Sequence, residues 1–180
     1  MASLLRKLFS STRPAAADAT YIALVAQARK PFFYTHMQVP DTLDGRFEMI
    51  VLHLFLLQHR LLRETQHADF ARALSEAFFD DMDRSVRELG VADSGVSKRI
   101  KRMGKAYNGR LQVYESGLQE PDAMRAALAR NLYGTLGDGD IALLDGMRHY
   151  IDAEISRLDA TSANVIVEGG YAWGEPAARR

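Results

Sequence analysis

The residues of this sequence that could do chemistry are concentrated in two neighbouring charged stretches, 80–93 and 98–105. The charged residues at the start of the first stretch are Asp80, Asp81, Asp83, Arg84, Arg87 and Glu88. Clustered aspartates can bind a cation, but the alternating oxygen ligands, sixth-position glycine and late glutamate of a calcium loop are missing. Helical ion pairs four residues apart, Asp83 with Arg87 and Arg84 with Glu88, account for the same charges more simply.

The second stretch is purely basic. Lys98, Lys101 and Lys105 fall on one helical face, and Arg99 and Arg102 lie beside them. Five cations in eight residues without an acid favour an anionic partner, and RNA, lipid headgroups and acidic protein loops all meet that requirement. A solvated helical face is the alternative interpretation. A turn between the two stretches would form a corner whose charges either lock it or face a partner.

Catalytic and cofactor patterns are missing from the sequence. There is no cysteine, and none of the five histidines has the spacing of a zinc-binding HExxH helix. Asp145 and His149 lack an identifiable nucleophile partner. The glycines between Gly134 and Gly139 match neither a phosphate loop nor a dinucleotide fingerprint. The sequence therefore predicts a protein that is not an enzyme, with no metal and no cofactor. His53, in the most apolar segment, is either a satisfied core residue or a group that senses a ligand.

Length and hydrophobic spacing predict one all-α domain that positions these charges. Apolar residues recur at helical steps in most segments, and residues 49–57 are apolar nearly all round, as in a buried central helix. Asp41 is the predicted N-cap of that helix and Gly90 the C-cap of the next. Residues 165–167 could instead pair as a strand or pack extended. The 180 residues carry 23 basic and 23 acidic side chains, so net charge does not favour DNA binding.

The two ends of the chain differ from its middle. Residues 1–17 form a basic, amphipathic segment and linker that would lie on an anionic membrane, act as a mitochondrial transit peptide, or remain a solvated tail. Residues 18–159 form the predicted compact multi-helix domain, and residues 160–180 an irregular tail. The longest apolar run is nine residues, far short of the roughly 20 that span a bilayer.

Ordered strings of residues between Tyr21 and Leu158 also carry a family resemblance. They are Ala28-Arg29-Lys30-Pro31 with Phe33-Tyr34, residues 39–48, residues 53–57, residues 82–91 and Tyr107-Asn108-Gly109-Arg110. Together these strings resemble the ubiquinol–cytochrome c chaperone family, the cytochrome b assembly factors of mitochondria and alphaproteobacteria. Two departures, Ala92 where the family tends to have glycine and Ser97 where it tends to have proline, are expected in the loop between helices.

The resemblance implies a non-enzymatic chaperone that binds nascent or apo cytochrome b and assists its maturation into ubiquinol–cytochrome c reductase. It also implies a small partner chaperone and contact with the ribosome in mitochondrial members, and no cofactor. We expect the protein to be located in the bacterial cytoplasm, at the periphery of the inner membrane. The mitochondrial matrix is the alternative location. Two other functions stay open: a helical module for a lipidic or quinone-like ligand, and an RNA- or ribosome-contacting helical protein.

A holder of an apo membrane protein needs adaptable apolar surface beside charge. The predicted client- or partner-binding residues are Phe32, Phe33, Tyr34, Asp81, Asp83, Arg84, Arg87, Glu88, Lys98, Arg99, Lys101 and Arg102. Met37 and Met103 are further candidates for the apolar part, because the methionine side chain adapts to varied surfaces.

Overall fold

Helices account for most of the chain in a computed structural model that describes residues 13–88, 93–134 and 141–176. No strand forms within these ranges, which confirms the all-α prediction. The α-helices are α1 (Ala15–Ala28), α2 (Pro31–Thr35), α3 (Leu43–Leu61), α4 (Ala68–Glu88), α5 (Asp93–Gln119), α6 (Pro121–Asn131), α7 (Ile141–Asp159) and α8 (Ala163–Val167). The segment before Arg13, the predicted cap at Gly90 and residues 135–140 lie outside the described ranges.

Helix α3 is the centre of the fold. Its residues between Met49 and Leu57 are all buried, and helices α1, α4, α5 and α7 pack around it. This is the arrangement that an all-round apolar helix requires, because no face of it can be left in water. The prediction of a buried central helix is therefore confirmed.

The start of α3 differs from the sequence-based prediction. Thr42, not Asp41, is the N-cap, and its hydroxyl accepts a hydrogen bond from the Gly45 amide at 3.1 Å. Asp41 instead accepts from the exposed Arg46 side chain at 2.7 Å. Both residue types favour the N-cap position, so the pattern alone did not distinguish them. A Cβ on Gly45 would collide with the Pro40 carbonyl oxygen, so this close approach requires glycine.

His53 is the middle of a buried chain of hydrogen bonds. Its Nδ1 donates to the Met49 carbonyl at 2.7 Å, which leaves Nε2 to accept from the Tyr150 hydroxyl at 2.8 Å. The Gln27 amide donates both to that hydroxyl and to the Gly174 carbonyl, at 3.0 and 2.7 Å. The chain thus joins α1, α3, α7 and the C-terminal segment, and His53 is a satisfied core residue.

Gln58, one turn beyond His53, makes a second buried network. Its amide donates to the Ser75 hydroxyl at 2.7 Å and to the Ala71 carbonyl at 3.2 Å. The Tyr107 hydroxyl donates to the Gln58 carbonyl oxygen at 3.0 Å. These bonds fix α4 and α5 against α3, because a buried amide left without partners would be costly.

The residues after α7 pack back onto the helices. Residues 165–167 belong to the short helix α8 and not to a strand or an extended segment, so that prediction was wrong. Ser162 caps α8 through its side chain, which explains the helical turn. Beyond it, the Tyr171 hydroxyl and the Gly174 amide donate to the buried Glu154 carboxylate at 2.8 and 3.0 Å. Ser97, expected in a loop, lies inside α5.

His53 makes the stability of the fold depend on pH. Burial lowers the pKa of its imidazole to about 4, below the ordinary value of 6.5. The unfolded chain therefore takes up a proton at this residue below pH 6.5, while the folded chain does not until about pH 4. The stabilising contribution is complete above pH 6.5 and is lost as the pH falls toward 4.

We therefore expect the free energy of unfolding to fall by about 2 kcal/mol more in the wild type than in His53→Asn between pH 8 and pH 5. Urea denaturation at the two pH values measures this difference. His149→Asn, at an exposed position on α7, is the matched control and should behave as the wild type does. Equal pH dependence in the wild type and His53→Asn would contradict the assignment.

Candidate functional site

A cleft of about 460 Å³ opens between the start of α3, the first half of α5 and the end of α6. We call it the α3–α5 cleft. Its lining residues are Pro40, Thr42, Asp44, Gly45, Phe47, Glu48, Arg99, Arg102, Met103, Ala106, Arg110, Asn131, Leu132 and Gly134. The first six belong to one string of the family resemblance, and Arg110 ends another. Tertiary folding therefore brings two separate motifs into one site.

Helix α5 supplies the basic side of the cleft through its periodicity. Arg99, Arg102, Ala106 and Arg110 follow one another at steps of three and four residues and so share one helical face. The side chains of Lys98, Lys101 and Lys105 are exposed, and they do not line the cleft. The basic stretch is thus divided between the cleft and the outer surface.

The innermost ion pair of the cleft joins α3 to α5. The Arg110 guanidinium donates through Nε to both Glu48 oxygens at 3.1 Å, and through a terminal nitrogen to one of them at 2.7 Å. Burial raises the pKa of the Glu48 carboxyl although Arg110 opposes that shift, and the hydrogen bond to Glu48 raises the pKa of Arg110. This pair links the two helices that form the cleft. Its two charges neutralise each other within the protein.

Two buried polar atoms at or behind the cleft lack a well-formed hydrogen bond. The Tyr114 hydroxyl and the Asn131 side-chain nitrogen lie close enough to interact with each other, but neither has a hydrogen-bond partner of good geometry within the described part of the chain. Asn131 lines the cleft, and the Tyr114 hydroxyl lies close enough to Glu48 and Arg110 to feel both charges. Burial raises the pKa of Tyr114, so the hydroxyl keeps its proton and remains a donor.

The predicted charged residues of α4 lie elsewhere. Asp81 accepts from the Tyr21 hydroxyl at 2.9 Å and lines, with Arg84, a different groove between α1 and α4. Asp83 and Arg87 form the expected pair within the helix at 2.6 Å. Glu88 is exposed at the end of α4. Asp81 therefore anchors α1, and the α4 charges do not line the α3–α5 cleft.

The predicted aromatic surface is only partly accessible. Phe33 is fully buried against the His53 and Tyr150 rings, so its prediction as client-binding surface was wrong for the folded protein. A short helix, α2, turns this side chain into the core. Phe32 is half-buried and stacks on His36, and Tyr34 is half-buried with its hydroxyl donating to the Ala28 carbonyl. These two rings keep some exposed surface.

Sequence reasoning named Arg99, Arg102 and Met103 but missed Glu48, Arg110 and Asn131. Glu48 and Arg110 stand in the strings that carry the family resemblance, so that signal was present. The sequence did not predict that they pair with each other, because 62 residues separate them. Asn131 is the last residue of α6, a helix of ordinary composition, and nothing in its local sequence marks it.

Across residues 13–88, 93–134 and 141–176, no group of three His, Asp or Glu side chains is arranged to hold a metal ion. Within the same ranges, no helix combines the length and the apolar character needed to cross a bilayer.

Comparison with known proteins identifies relatives over most of the chain. The family model described as ubiquinol-cytochrome C chaperone matches residues 35–173. The crystal structure of the Cbp3 homolog from Brucella abortus is similar over 97% of both chains, with a TM-score of 0.77 and 32% sequence identity.

More distant curated relatives are eukaryotic. Ubiquinol-cytochrome-c reductase complex assembly factor 1 of Xenopus laevis is 22% identical over 144 residues, which cover 78% of this chain and 72% of that protein. The mitochondrial protein CBP3 of Saccharomyces cerevisiae is 23% identical over 150 residues, 81% of this chain and 45% of that protein. The match therefore spans less than half of the yeast protein.

Arg110→Ala should destabilise the protein strongly, because it leaves the Glu48 carboxylate buried without its partner. We expect a loss of about 3 kcal/mol in the free energy of unfolding, measured by urea denaturation at pH 7. The control is Arg125→Ala, which removes ion pairs with Asp122 and Asp145 at 2.8 and 2.7 Å on the surface and should cost less than about 1 kcal/mol. Equal losses in the two variants would mean that the Glu48 pair is not structural.

Proposed function

The chain belongs to the ubiquinol-cytochrome C chaperone family, and from this premise we propose that it is an assembly chaperone for ubiquinol–cytochrome c reductase. Its client in this proposal is newly made cytochrome b, which it binds and holds during maturation. The proposal assigns it no catalytic step.

The observation that carries the proposal is the extent of the family match. The family model covers residues 35–173, and the Brucella abortus Cbp3 homolog aligns with nearly the whole chain. The Xenopus and yeast relatives bear the names of a reductase complex assembly factor and of CBP3. A similarity that includes both the fold and a third of the residues supports a shared role more strongly than a short motif would.

The distribution of charge suits a protein that holds a partner. The core around α3 is closed by internal hydrogen bonds, whereas α5 presents cations outward. We propose client contact through Phe32, Tyr34, Asp83, Arg84, Arg87, Glu88, Lys98, Arg99, Lys101 and Arg102. Phe33 and Asp81 are left out, because Phe33 is buried in the core and Asp81 accepts a hydrogen bond from Tyr21 of α1.

Further partners and the location follow from the same premise. We propose a small partner chaperone, contact with the ribosome, and peripheral contact with the inner membrane. The Brucella abortus relative is a bacterial protein, which favours the bacterial cytoplasm. The yeast relative is named as mitochondrial, and the mitochondrial matrix is therefore the alternative.

The lipid-carrier alternative rested on an excess of apolar surface and on His53 as a ligand-sensing group. The second ground is weakened, because Met49 and Tyr150 satisfy both ring nitrogens of His53, and Phe33 and Trp173 pack against the ring. The RNA-binding alternative keeps the cations of α5 in its favour.

Deleting the gene in its own organism should remove most of the spectrally intact cytochrome b, because an unheld apoprotein exposes apolar helices and is degraded. The measurement is the reduced-minus-oxidised absorbance spectrum of isolated membranes, with another membrane-bound cytochrome as the internal reference. Complementation with the wild-type gene should restore the signal. A normal cytochrome b level in the deletion strain would exclude the proposed function.

A further inference from the structure

Among the residues that the structure describes, the cations at the start of α5 differ from other surface cations in having no ion-pair partner. Between residues 94 and 114 the sequence contains six basic residues and no acidic one. Elsewhere, Arg63 pairs with Asp159 at 2.6 Å and Arg46 pairs with Asp41 at 2.7 Å. Lys98, Arg99, Lys101, Arg102 and Lys105 form no ion pair within the part of the chain that the structure describes.

Arg99 and Arg102 differ from the lysines by their position, because they line the α3–α5 cleft. Arg99 is also half-buried. A guanidinium held at the edge of a cleft is partly desolvated and offers a fork of donors that fits a carboxylate. The flexible lysine ammonium groups on the outer surface stay hydrated and discriminate little between anions.

The inner part of the cleft also holds a buried donor. The Asn131 side-chain nitrogen lies near the Tyr114 hydroxyl, and neither atom forms a hydrogen bond of good geometry within the described residues. Both oxygens of Glu48 are already occupied by Arg110. Buried donors are costly when unsatisfied, so an acceptor group entering the cleft would gain hydrogen bonds as well as charge attraction.

Part of the cleft wall is apolar. Phe47, Met103, Ala106 and Leu132 line it beside the arginines. A volume of about 460 Å³ falls in the range of roughly 300–1,000 Å³ that is usual for specific binding sites. The site therefore has room for an acidic side chain together with an apolar neighbour.

The arrangement favours a peptide over a nucleic acid. Asp44 lies in the cleft wall with no ion pair inside the described ranges, and it would repel the evenly spaced phosphates of an RNA strand. A peptide segment can direct one carboxylate to the arginines and keep apolar residues near Asp44.

We propose that the α3–α5 cleft binds an acidic peptide segment of the client, in which an aspartate or glutamate lies beside apolar side chains. The carboxylate contacts Arg99 and Arg102, and the neighbouring side chain packs on Phe47 and Met103. This inference names the binding site of the proposed chaperone and so rests on that function, but its test is a direct binding measurement.

The experiment uses the purified full-length chain and a fluorescein-labelled peptide of about ten residues in which one adjacent Asp and Glu stand among Leu, Phe and Ser. Fluorescence anisotropy gives its Kd, and the same peptide with Asn and Gln in place of the acids is the comparison ligand. The cleft variant is the double substitution Arg99→Glu with Arg102→Glu. The matched control is Lys98→Glu with Lys101→Glu, on the same helix with the same spacing and charge change; these two lysines lie outside the cleft that the short peptide fills and are proposed to contact other parts of the client.

We expect the cleft variant to weaken acidic-peptide binding at least tenfold and the lysine control to weaken it less than about threefold. The amide peptide should bind the wild type at least tenfold more weakly than the acidic one. Asn131→Asp, a near-isosteric change that puts a carboxylate in the cleft, should also raise the Kd of the acidic peptide about tenfold. This second variant tests the cleft even if the double variant fails to fold, which thermal denaturation reveals.

Three results would overturn the proposal. One is no binding of the acidic peptide to the wild type, and another is equal weakening by the cleft variant and the lysine control, which would indicate a diffuse basic face. The third is tighter binding of a single-stranded RNA of similar length that depends on Lys98 and Lys101. A normal cytochrome b level after gene deletion would instead contradict the chaperone function, and peptide binding in vitro would be unaffected by that result.

Discussion

The structure depends on one constraint: helix α3 is surrounded by other helices, yet it carries the polar side chains Glu48, His53 and Gln58 into the core. Each needs a partner inside the protein, because burial costs a polar group its hydrogen bonds to bulk water. The three residues are five positions apart, and five residues rotate the side chain by about 140° around the helix axis. They therefore point in three different directions, and each engages a different set of neighbours.

These three directions explain how the helices are arranged. Glu48 holds α5 through Arg110, His53 holds α7 through Tyr150, and Gln58 holds α4 and α5 through hydrogen bonds to Ser75 and Tyr107. Apolar contacts are tolerant of small shifts, whereas a buried hydrogen bond specifies both distance and direction. The polar residues thus select one packing of α3 among those that would bury the same apolar area.

The same constraint divides α5 into a structural and a partner-binding role. Tyr107 and Arg110, on its inner side, complete the networks of α3. Arg99 and Arg102, on the turns before them, form no ion pair in the described part of the chain, and they line the same cleft as Asn131. A helix fixed firmly at one end can hold exposed cations in a set position at the other, which is what a binding site needs.

The sequence by itself determined the helical class, the burial of residues 49–57 and the family, because hydrophobic periodicity and long ordered strings are local properties of the chain. It also located the basic stretch. Only the tertiary structure decided that Phe33 lies in the core, that Asp81 anchors α1, and that Thr42 rather than Asp41 caps α3. Above all, it decided that Glu48 meets Arg110 and that two motifs form one cleft. Those outcomes depend on which helices are neighbours, and contacts across 62 residues leave no periodic trace in the sequence.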